Sequence, residues 1–403
     1  METHGKRLIP LEAYRGIAAF IVLVHHFFLG FSPATTGRLP EIRNADSLIG
    51  QPYFVFFNGT GAVGFFFTLS GFVLCWSYFN REDQGKLLLA FLKRFPRLVG
   101  VVTLTTVLSW ALFKLGLYYF NDAAKVSASP WLASFAGAGL TPKFQPTFVG
   151  AFSQGFTTFF TGNSYFNSNL WTMKPEFFGS MVVYMLASFI ATVLGYRYRV
   201  YAAIILLSSA LYYNQYIFPF VAGVFLSSYL AKNKVAIPTL ASLLMIGVGL
   251  YLLGYMIPEK SYGWVLLLPA AIPADLHQVC MHTLGALAII FATMANRNVF
   301  DRLSGSFCRF LGQLSFPLYL VHGLVICSLS SWVYLQMMAR SFDSTTTLLV
   351  VFGVTAAGSV VASLPLSRFD DWWVAQVNAV GRKVVGGDPV RHAVAARRTA
   401  DGK

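Results

Sequence analysis

The sequence predicts an all-α fold, a polytopic bundle of about ten transmembrane helices, and three observations lead to that fold class. Of the 403 residues, 56% are hydrophobic and only 11% are charged, with a mean hydropathy of +0.60. A soluble domain carries about 25% charged residues. Apolar runs of about 20 residues, the length that crosses a bilayer, recur along the chain. The positive charges concentrate in alternate loops, as in membrane proteins of fixed orientation.

A search for such apolar runs gives the individual spans. We expect ten, at 9–30, 60–80, 98–119, 172–195, 200–214, 216–231, 237–257, 279–296, 310–332 and 345–367. Lys6 and Arg7 precede the first span, and the loops that would share their side carry most of the other lysine and arginine residues. The positive-inside rule therefore predicts cytoplasmic N- and C-termini.

The ten spans form one predicted membrane domain, 1–373, followed by a basic tail, 374–403, that we expect to be partly disordered. An outer segment, 120–171, contains apolar pieces too short to cross the bilayer, which predicts interfacial or re-entrant helices. The four cysteines lack the spacing of a zinc site, so no metal is expected. The topology accounts for the net charge of +14, so we expect no nucleic-acid partner.

The most informative stretch is the first span, LEAYRGIAAFIVLVHHFFL, because it contains ionisable residues. Such a residue costs about 2.5–3.5 kcal/mol at the bilayer centre and normally faces a protein interior where it has a function. Arg15 and His26 lie roughly 20° apart around the helix and about 16 Å apart along it. Glu12 can pair with Arg15, whereas His25 points about 100° away from Arg15 and His26. The pattern predicts a functional stripe. The alternative is that Arg15 snorkels to the interface and the histidines hydrogen-bond to neighbouring helices.

Five stretches resemble the motifs of one family, in that family's order. RGIAAFIVLVHH is similar to the Arg-x10-His signature of the acyltransferase-3 family of integral membrane acyltransferases, with Arg15 and His26 as the matching pair. The others resemble the motifs Phe-Phe-x-Leu-Ser-Gly-Phe, Arg-x-x-Arg, Leu-Trp-Ser-Leu-x-Val-Glu and Leu-Gly-x-x-Ser-x-x-Leu-Tyr-Leu-x-His, at 66–72, 93–97, 170–176 and 311–322. Glu12, Pro96 and Pro175 depart from the family pattern, which bears on the acceptor more than on the reaction.

The resemblance implies transfer of an acyl group, usually acetyl, from cytoplasmic acyl-coenzyme A to an acceptor hydroxyl. It implies catalytic roles for His26, Arg15 and Glu176. His26 would serve as general base or as acyl carrier, and Glu176 as a partner of His26 or of the acceptor hydroxyl. The alternative for Glu176 is a carboxylate that only stabilises a helix N-terminus.

The resemblance also implies binding and supporting residues. Donor-binding residues would be Arg15, Lys93, Arg94 and Arg97, since cations suit the phosphates of coenzyme A. Acceptor-binding residues would be Trp171 and Glu176, and supporting residues would be Glu12, Ser70, Tyr319 and His322. Structural alternatives stay open for these residues. The basic residues could only set the topology, Trp171 could be an interfacial anchor, Ser70 could allow close helix packing, and Tyr319 and His322 could form structural hydrogen bonds.

The implied function is an integral membrane O-acyltransferase of a bacterial inner membrane, acting on a glycan or other hydroxylated metabolite at the outer face. Its partners are acyl-coenzyme A, acetyl-coenzyme A in the simplest case, the acceptor and the bilayer, and no resident cofactor is expected. The alternative is a secondary transporter or exporter, although the two halves of the chain do not resemble each other. We also expect a donor tunnel along the first helix, lined by Gly16, Ala19 and Leu23. The acceptor, the acyl chain length and the oligomeric state stay open.

Overall fold

The computed structural model describes residues 8–81, 84–137, 144–192, 196–267 and 273–385. Within these ranges the protein contains helices and no strands, which confirms the all-α class. The α-helices are α1 Ile9–Phe31, α2 Pro33–Thr36, α3 Gly59–Arg81, α4 Gln84–Lys114, α5 Phe120–Ser127, α6 Pro130–Ser134, α7 Phe148–Thr161, α8 Met173–Thr192, α9 Tyr196–Tyr213, α10 Phe218–Lys232, α11 Thr239–Leu253, α12 Ala274–Met294, α13 Arg297–Arg302, α14 Ser306–Val325, α15 Ser331–Ala339 and α16 Ser344–Val385. Five 3₁₀ turns, Pro40–Ile42, Pro52–Phe57, Phe135–Gly137, Ser168–Thr172 and Lys260–Leu267, and one π-helical turn, Ile326–Ser330, complete the described helices.

Five helical segments of the described residues are long and apolar enough to cross a membrane. They are Ile9–Phe31, Gly59–Asn80, Leu276–Met294, Ser306–Ala339 and Ser344–Gly381. Two shorter apolar helices, α10 and α11, accompany them. Each predicted span overlaps a helix, but only these five meet both criteria, so the count of ten stays a prediction.

Two helices, α4 and α16, extend past the predicted boundaries and contact each other there. α4 begins at Gln84, well before the predicted start at 98, and therefore contains the whole basic motif. α16 extends to Val385, past the predicted domain boundary at 373, while residues 386–403 lie outside the described part. The Trp373 ring packs on Gly100, and its Nε1 donates to the Pro96 carbonyl oxygen at 2.7 Å. This contact supports helical structure on both sides of Pro96.

α7 enters the bundle without crossing it, as predicted for a re-entrant piece. It runs beside α4, with ring contacts from Phe148 to Trp110 at 5.2 Å and from Phe159 to Phe95 at 5.4 Å. Its 14 residues extend about 21 Å, less than the bilayer core of about 30 Å. The chain then turns through 162–172 and continues as α8, whose Phe177 packs on the same Phe95. α7 and α8 thus form a broken helix with its break inside the protein.

Two fully buried asparagines in this break attach it to α14. Asn167 Nδ2 donates to the Leu320 carbonyl oxygen at 2.7 Å, and Asn169 Nδ2 donates to the Tyr319 carbonyl oxygen at 3.0 Å. Irregular backbone at membrane depth is tolerated where protein buries it and satisfies its polar groups. The break is therefore a fixed part of the bundle.

We expect Gly223→Ala to lower stability by about 1–3 kcal/mol, the usual cost of overpacking a well-packed core. A Cβ at Gly223 would lie 2.2 Å from the Thr68 carbonyl oxygen, and one at Gly71 would lie 2.2 Å from the Phe220 carbonyl oxygen, so α3 and α10 cross in direct backbone contact. The matched control is Gly247→Ala, where a Cβ meets nothing within 4 Å. Thermal unfolding in detergent should show a lower Tm for Gly223→Ala only, and equal Tm values would contradict the proposed crossing.

Candidate active site

A cavity of about 210 Å³ lies inside the bundle, between α1, α3, α4, α8, α14 and α16. Most of the predicted site residues line it, although they come from distant parts of the sequence. These are Glu12, Arg15, Ser70, Arg94, Arg97, Glu176 and Tyr319. The helices therefore bring residues from all five resembling motifs to one space.

A buried ion pair forms one wall of this cavity. Arg94 Nη2 pairs with Glu176 Oε1, and the two side chains are 9% and 16% exposed. Ser70 Oγ donates to the same carboxylate oxygen at 2.9 Å, and Arg94 Nε donates to Ser180 Oγ at 2.9 Å. Both charged side chains thus have their hydrogen-bond partners among other residues of the protein. Glu176 already neutralises the charge of Arg94, so Arg94 is less suited to bind phosphate than the sequence suggested.

Arg15 and Arg97 differ from Arg94, because neither forms a hydrogen bond or ion pair with a residue that the structure describes. Both line the cavity, and so do the carboxylates of Asp370 and Asp371 on α16. A guanidinium group offers five N–H donors in a fixed fork that matches carboxylate or phosphate. The cavity therefore presents two cations with donors to spare to an anionic ligand.

A second polar group, the histidine pair His26 and His322, lies further along α1 and α14. His26 Nδ1 lies 2.8 Å from His322 Nε2, and the two ring planes differ by only 14°, which suits an in-plane hydrogen bond. His322 is fully buried, whereas His26 is half-buried. The Trp131 ring stacks on His26 at a centroid distance of 4.7 Å. The pair can hold a proton at a defined atom.

Tyr319 separates the cavity from the histidine pair. Tyr319 lines the cavity. The centroid of its ring lies 5.9 Å from that of His322, which follows Tyr319 by one turn of α14. Its hydroxyl lies 2.9 Å from Thr172 Oγ1 and donates to the Asn169 carbonyl oxygen at 3.1 Å. The broken helix thus fixes the side chain that stands between the two polar groups.

The loop after α2 adds a further cation at the histidine end. Arg38 Nη1 donates to Thr60 Oγ1 at 2.7 Å, and the charge of Arg38 acts on His25 and His26. Desolvation by burial lowers the pKa of Arg38 from its ordinary value, but a guanidinium remains charged at neutral pH. Positive charge is therefore present both in the cavity and near the histidine pair.

The sequence model of the acyltransferase-3 family, described as an acyltransferase domain, matches residues 10–366. The chain belongs to the acyltransferase-3 family. It is accordingly a membrane acyltransferase that transfers groups other than aminoacyl groups. No curated protein and no solved structure gives a significant match. The family match runs from the start of α1 into α16 and so includes both polar groups of this acyltransferase.

Some predicted site residues of the acyltransferase lie away from the cavity. Lys93 donates to Asn378 Oδ1 of α16 at 2.8 Å and points away from the other two basic residues of its motif. Trp171 is 41% exposed and contacts Tyr216, with ring centroids 6.0 Å apart. Glu176 does line the cavity, but it pairs with Arg94 and not with His26, the partner expected from the sequence. The roles of these residues in the reaction stay predictions.

His25 makes packing contacts away from His322, in line with its direction on the helix. It is buried, its Nδ1 lies 2.8 Å from the Phe57 carbonyl oxygen, and its ring covers Gly59. A Cβ at Gly59 would lie 2.6 Å from the His25 ring. His25 therefore joins α1 to the start of α3.

The predicted donor tunnel along α1 is wrong. A Cβ at Gly16 would lie 2.4 Å from the Leu311 carbonyl oxygen, and Ala19 and Leu23 have no exposed surface. This face of α1 packs directly against α14, because small residues let two helix backbones approach closely. The open space is instead the cavity between α1, α3, α4, α8, α14 and α16.

Several residues around the cavity and the histidine pair were not predicted from the sequence. They are Trp131, Asn167, Asn169, Asp370 and Asp371. The aspartates lie beyond the last predicted span, on the extension of α16. The polar run GNSYFNSN gave a signal for the asparagines, since such residues seldom lie between apolar segments without a structural or functional reason.

Proposed function

We propose that this acyltransferase moves an acyl group, acetyl in the first instance, from acyl-coenzyme A to a hydroxyl group of a glycan or another hydroxylated metabolite. The observation that carries the proposal is the cavity with Arg15 and Arg97, which form no hydrogen bond or ion pair within the described residues, beside a histidine pair that can handle a proton. Coenzyme A is a polyanion, and guanidinium groups bind phosphate through charge-assisted hydrogen bonds. Acyl-coenzyme A acts as a co-substrate, and no resident cofactor is needed.

We further propose ten membrane crossings in a bacterial inner membrane, with both termini in the cytoplasm. The distribution of lysine and arginine among the loops supports this orientation. The cavity lies toward the end of α1 that carries the N-terminus, and the histidine pair lies toward the opposite end. In this orientation the donor enters from the cytoplasm and the acceptor approaches from the outer face.

In the proposed reaction His26 takes the proton of the acceptor hydroxyl while the hydroxyl oxygen attacks the thioester carbonyl carbon. The new carbon–oxygen bond forms and the carbon–sulfur bond breaks. The proton then passes from His26 to the departing thiolate of coenzyme A. A positioned general base of this kind contributes about 10²–10⁴-fold to a rate.

We expect Arg15→Gln and Arg97→Gln each to raise the KM for acetyl-coenzyme A about 10–100-fold with little change in kcat. A hydrogen bond to a charged group contributes about 1.5–3 kcal/mol, and loss of binding that is equal in ground and transition states raises KM alone. The matched control is Lys93→Gln, because Lys93 belongs to the same motif as Arg97 but contacts α16. Steady-state kinetics on purified protein measures all three, and an unchanged KM in both arginine variants would refute the donor site.

A transporter is the second candidate function, and the broken helix α7–α8 is the observation that favours it, since transporters bind substrates at such breaks. Acetyl-coenzyme A with a labelled acetyl group separates the two. Membranes that contain the protein should transfer the label covalently to lipid or glycan, and membranes that contain His26→Ala should not. Uptake of a labelled metabolite without covalent transfer would favour the transporter.

A further inference from the structure

The direction of the hydrogen bond between His26 and His322 follows from the atoms around it. His322 Nδ1 lies 3.1 Å from the Leu318 carbonyl oxygen, which can only accept, so Nδ1 carries the ring proton. A neutral imidazole has one N–H, so Nε2 of His322 presents a lone pair. His26 Nδ1, 2.8 Å away, must then be the donor. The lone pair of His26 is thereby assigned to its Nε2.

This assignment leaves the free nitrogen of His26 available to a substrate. Nε2 of His26 forms no hydrogen bond with any residue in the described ranges, and the ring is half-buried. In the other tautomer, Nε2 would carry the proton and both Nδ1 of His26 and Nε2 of His322 would be lone pairs facing each other at 2.8 Å. The backbone of α14 thus selects the tautomer of a ring on α1.

Trp131 covers one face of His26 and is itself anchored to α1. Its ring plane lies 16° from that of His26. Ser129 Oγ accepts from the Leu132 N–H at 3.1 Å and donates to the Leu29 carbonyl oxygen at 2.6 Å, which fixes α6 against the end of α1. The face of an indole ring attracts a cation. Trp131 is therefore placed to stabilise His26 once that ring is protonated.

We propose that His322 is a positioning residue for acyl transfer, which holds His26 in the tautomer whose Nε2 accepts the hydroxyl proton. The inference rests on the proposed function, in which His26 is the general base. When Nε2 has taken the proton, Nδ1–H of the resulting imidazolium donates a charge-assisted hydrogen bond to His322 Nε2. The proton then leaves from Nε2 to the thiolate of coenzyme A, and His26 returns to its starting tautomer.

Nitrogen-15 NMR of histidine-labelled protein tests the tautomer without any donor or acceptor. The chain has seven histidines, and comparison with His26→Ala assigns the signals of His26. We expect a protonated Nδ1 and an unprotonated Nε2 in the wild type, and a mixture of tautomers in His322→Ala. In His322→Gln the amide oxygen can accept from Nδ1–H, so the wild-type tautomer should persist. A protonated Nε2 in the wild type overturns the inference, whether or not the protein transfers acetyl groups.

Kinetics then test whether the tautomer matters for transfer. Release of coenzyme A from acetyl-coenzyme A, measured with a thiol reagent in membranes that contain the native acceptor, gives kcat and KM. We expect His322→Ala to lower kcat about 100-fold at unchanged KM, the lower end of a general-base contribution, and His322→Gln to recover most of it. Equal loss in both variants overturns the positioning role.

A locked tautomer gives the sharpest comparison. Nδ1-methylhistidine at position 26 keeps the lone pair on Nε2 by covalent means, so it should restore transfer in the His322→Ala background. Nε2-methylhistidine at position 26 should abolish transfer in the wild-type background. Activity of the Nε2-methyl protein, or failure of the Nδ1-methyl protein to restore transfer, overturns the inference. Absence of transfer by the wild type would instead refute the proposed function, while the NMR result would stand.

Discussion

Replacing His26 with alanine should reduce kcat for acyl transfer by about 10²–10⁴-fold, the range for loss of a positioned general base. The half-buried His26 ring is held between His322 and Trp131, and alanine removes the only atom proposed to take the hydroxyl proton. Single-turnover transfer from labelled acetyl-coenzyme A measures the loss. Binding of the donor should survive, because the cavity with Arg15 and Arg97 does not include His26.

The adjacent His25 provides the control for this prediction. His25→Asn should lower Tm, since it loses the ring that packs on Gly59 and weakens the contact to the Phe57 carbonyl oxygen. Its kcat should stay within a few-fold of the wild type, because the His25 ring contacts Phe57 and Gly59 and not His322. Equal loss of kcat from the two changes, at unchanged Tm, would show that the two histidines do not have the separate roles assigned here.

Arg94→Met should destabilise the bundle by about 3–5 kcal/mol, because it leaves the Glu176 carboxylate buried without its partner. The double variant Arg94→Met with Glu176→Gln should regain most of that stability, since replacing both members of a buried pair is often neutral. Urea or thermal unfolding in detergent compares the single and double variants. Arg297→Met is the matched control, because the Arg297–Asp301 pair is exposed and such pairs contribute little.

A different pattern in the same experiment would change the role of the pair. If Arg94→Met kept its stability but lost donor binding, Arg94 would belong to the phosphate site together with Arg97. If the double variant stayed as unstable as the single one, Ser70 would require the ionised carboxylate for its own hydrogen bond. In the first outcome the KM for the donor changes and Tm does not, whereas in the second outcome Tm stays lowered in both variants.

Helical periodicity was enough to predict the directions in which the ionisable side chains of α1 point. Arg15 faces the cavity, His26 faces His322, and His25 faces elsewhere, because these directions follow from the geometry of one helix. Most of the site residues predicted from the family resemblance then proved to line the cavity. The helical class followed from composition in the same way, since apolar runs of this length have few alternative structures.

Contacts between distant segments could not be predicted in this way. The sequence placed Lys93, Arg94 and Arg97 in one basic motif, but α4 begins early and turns Arg94 toward Glu176 and Lys93 toward α16. Trp131 reaches His26 only because Ser129 holds α6 against the Leu29 carbonyl oxygen, 100 residues earlier in the chain. Such contacts depend on which helices pack together, which periodicity does not determine.

The broken helix α7–α8 also constrains how the protein is made. α7 is too short to cross the membrane, and its buried Gln154 finds its partner, the Phe166 N–H, only once the break has folded back. Asn167 closes the break by bonding to the Leu320 carbonyl oxygen, 153 residues later. During synthesis this segment therefore leaves the ribosome long before its partner on α14 exists. The break, and the Tyr319 wall that depends on it, can reach their final arrangement only in a late step of assembly, after most of the chain has entered the membrane.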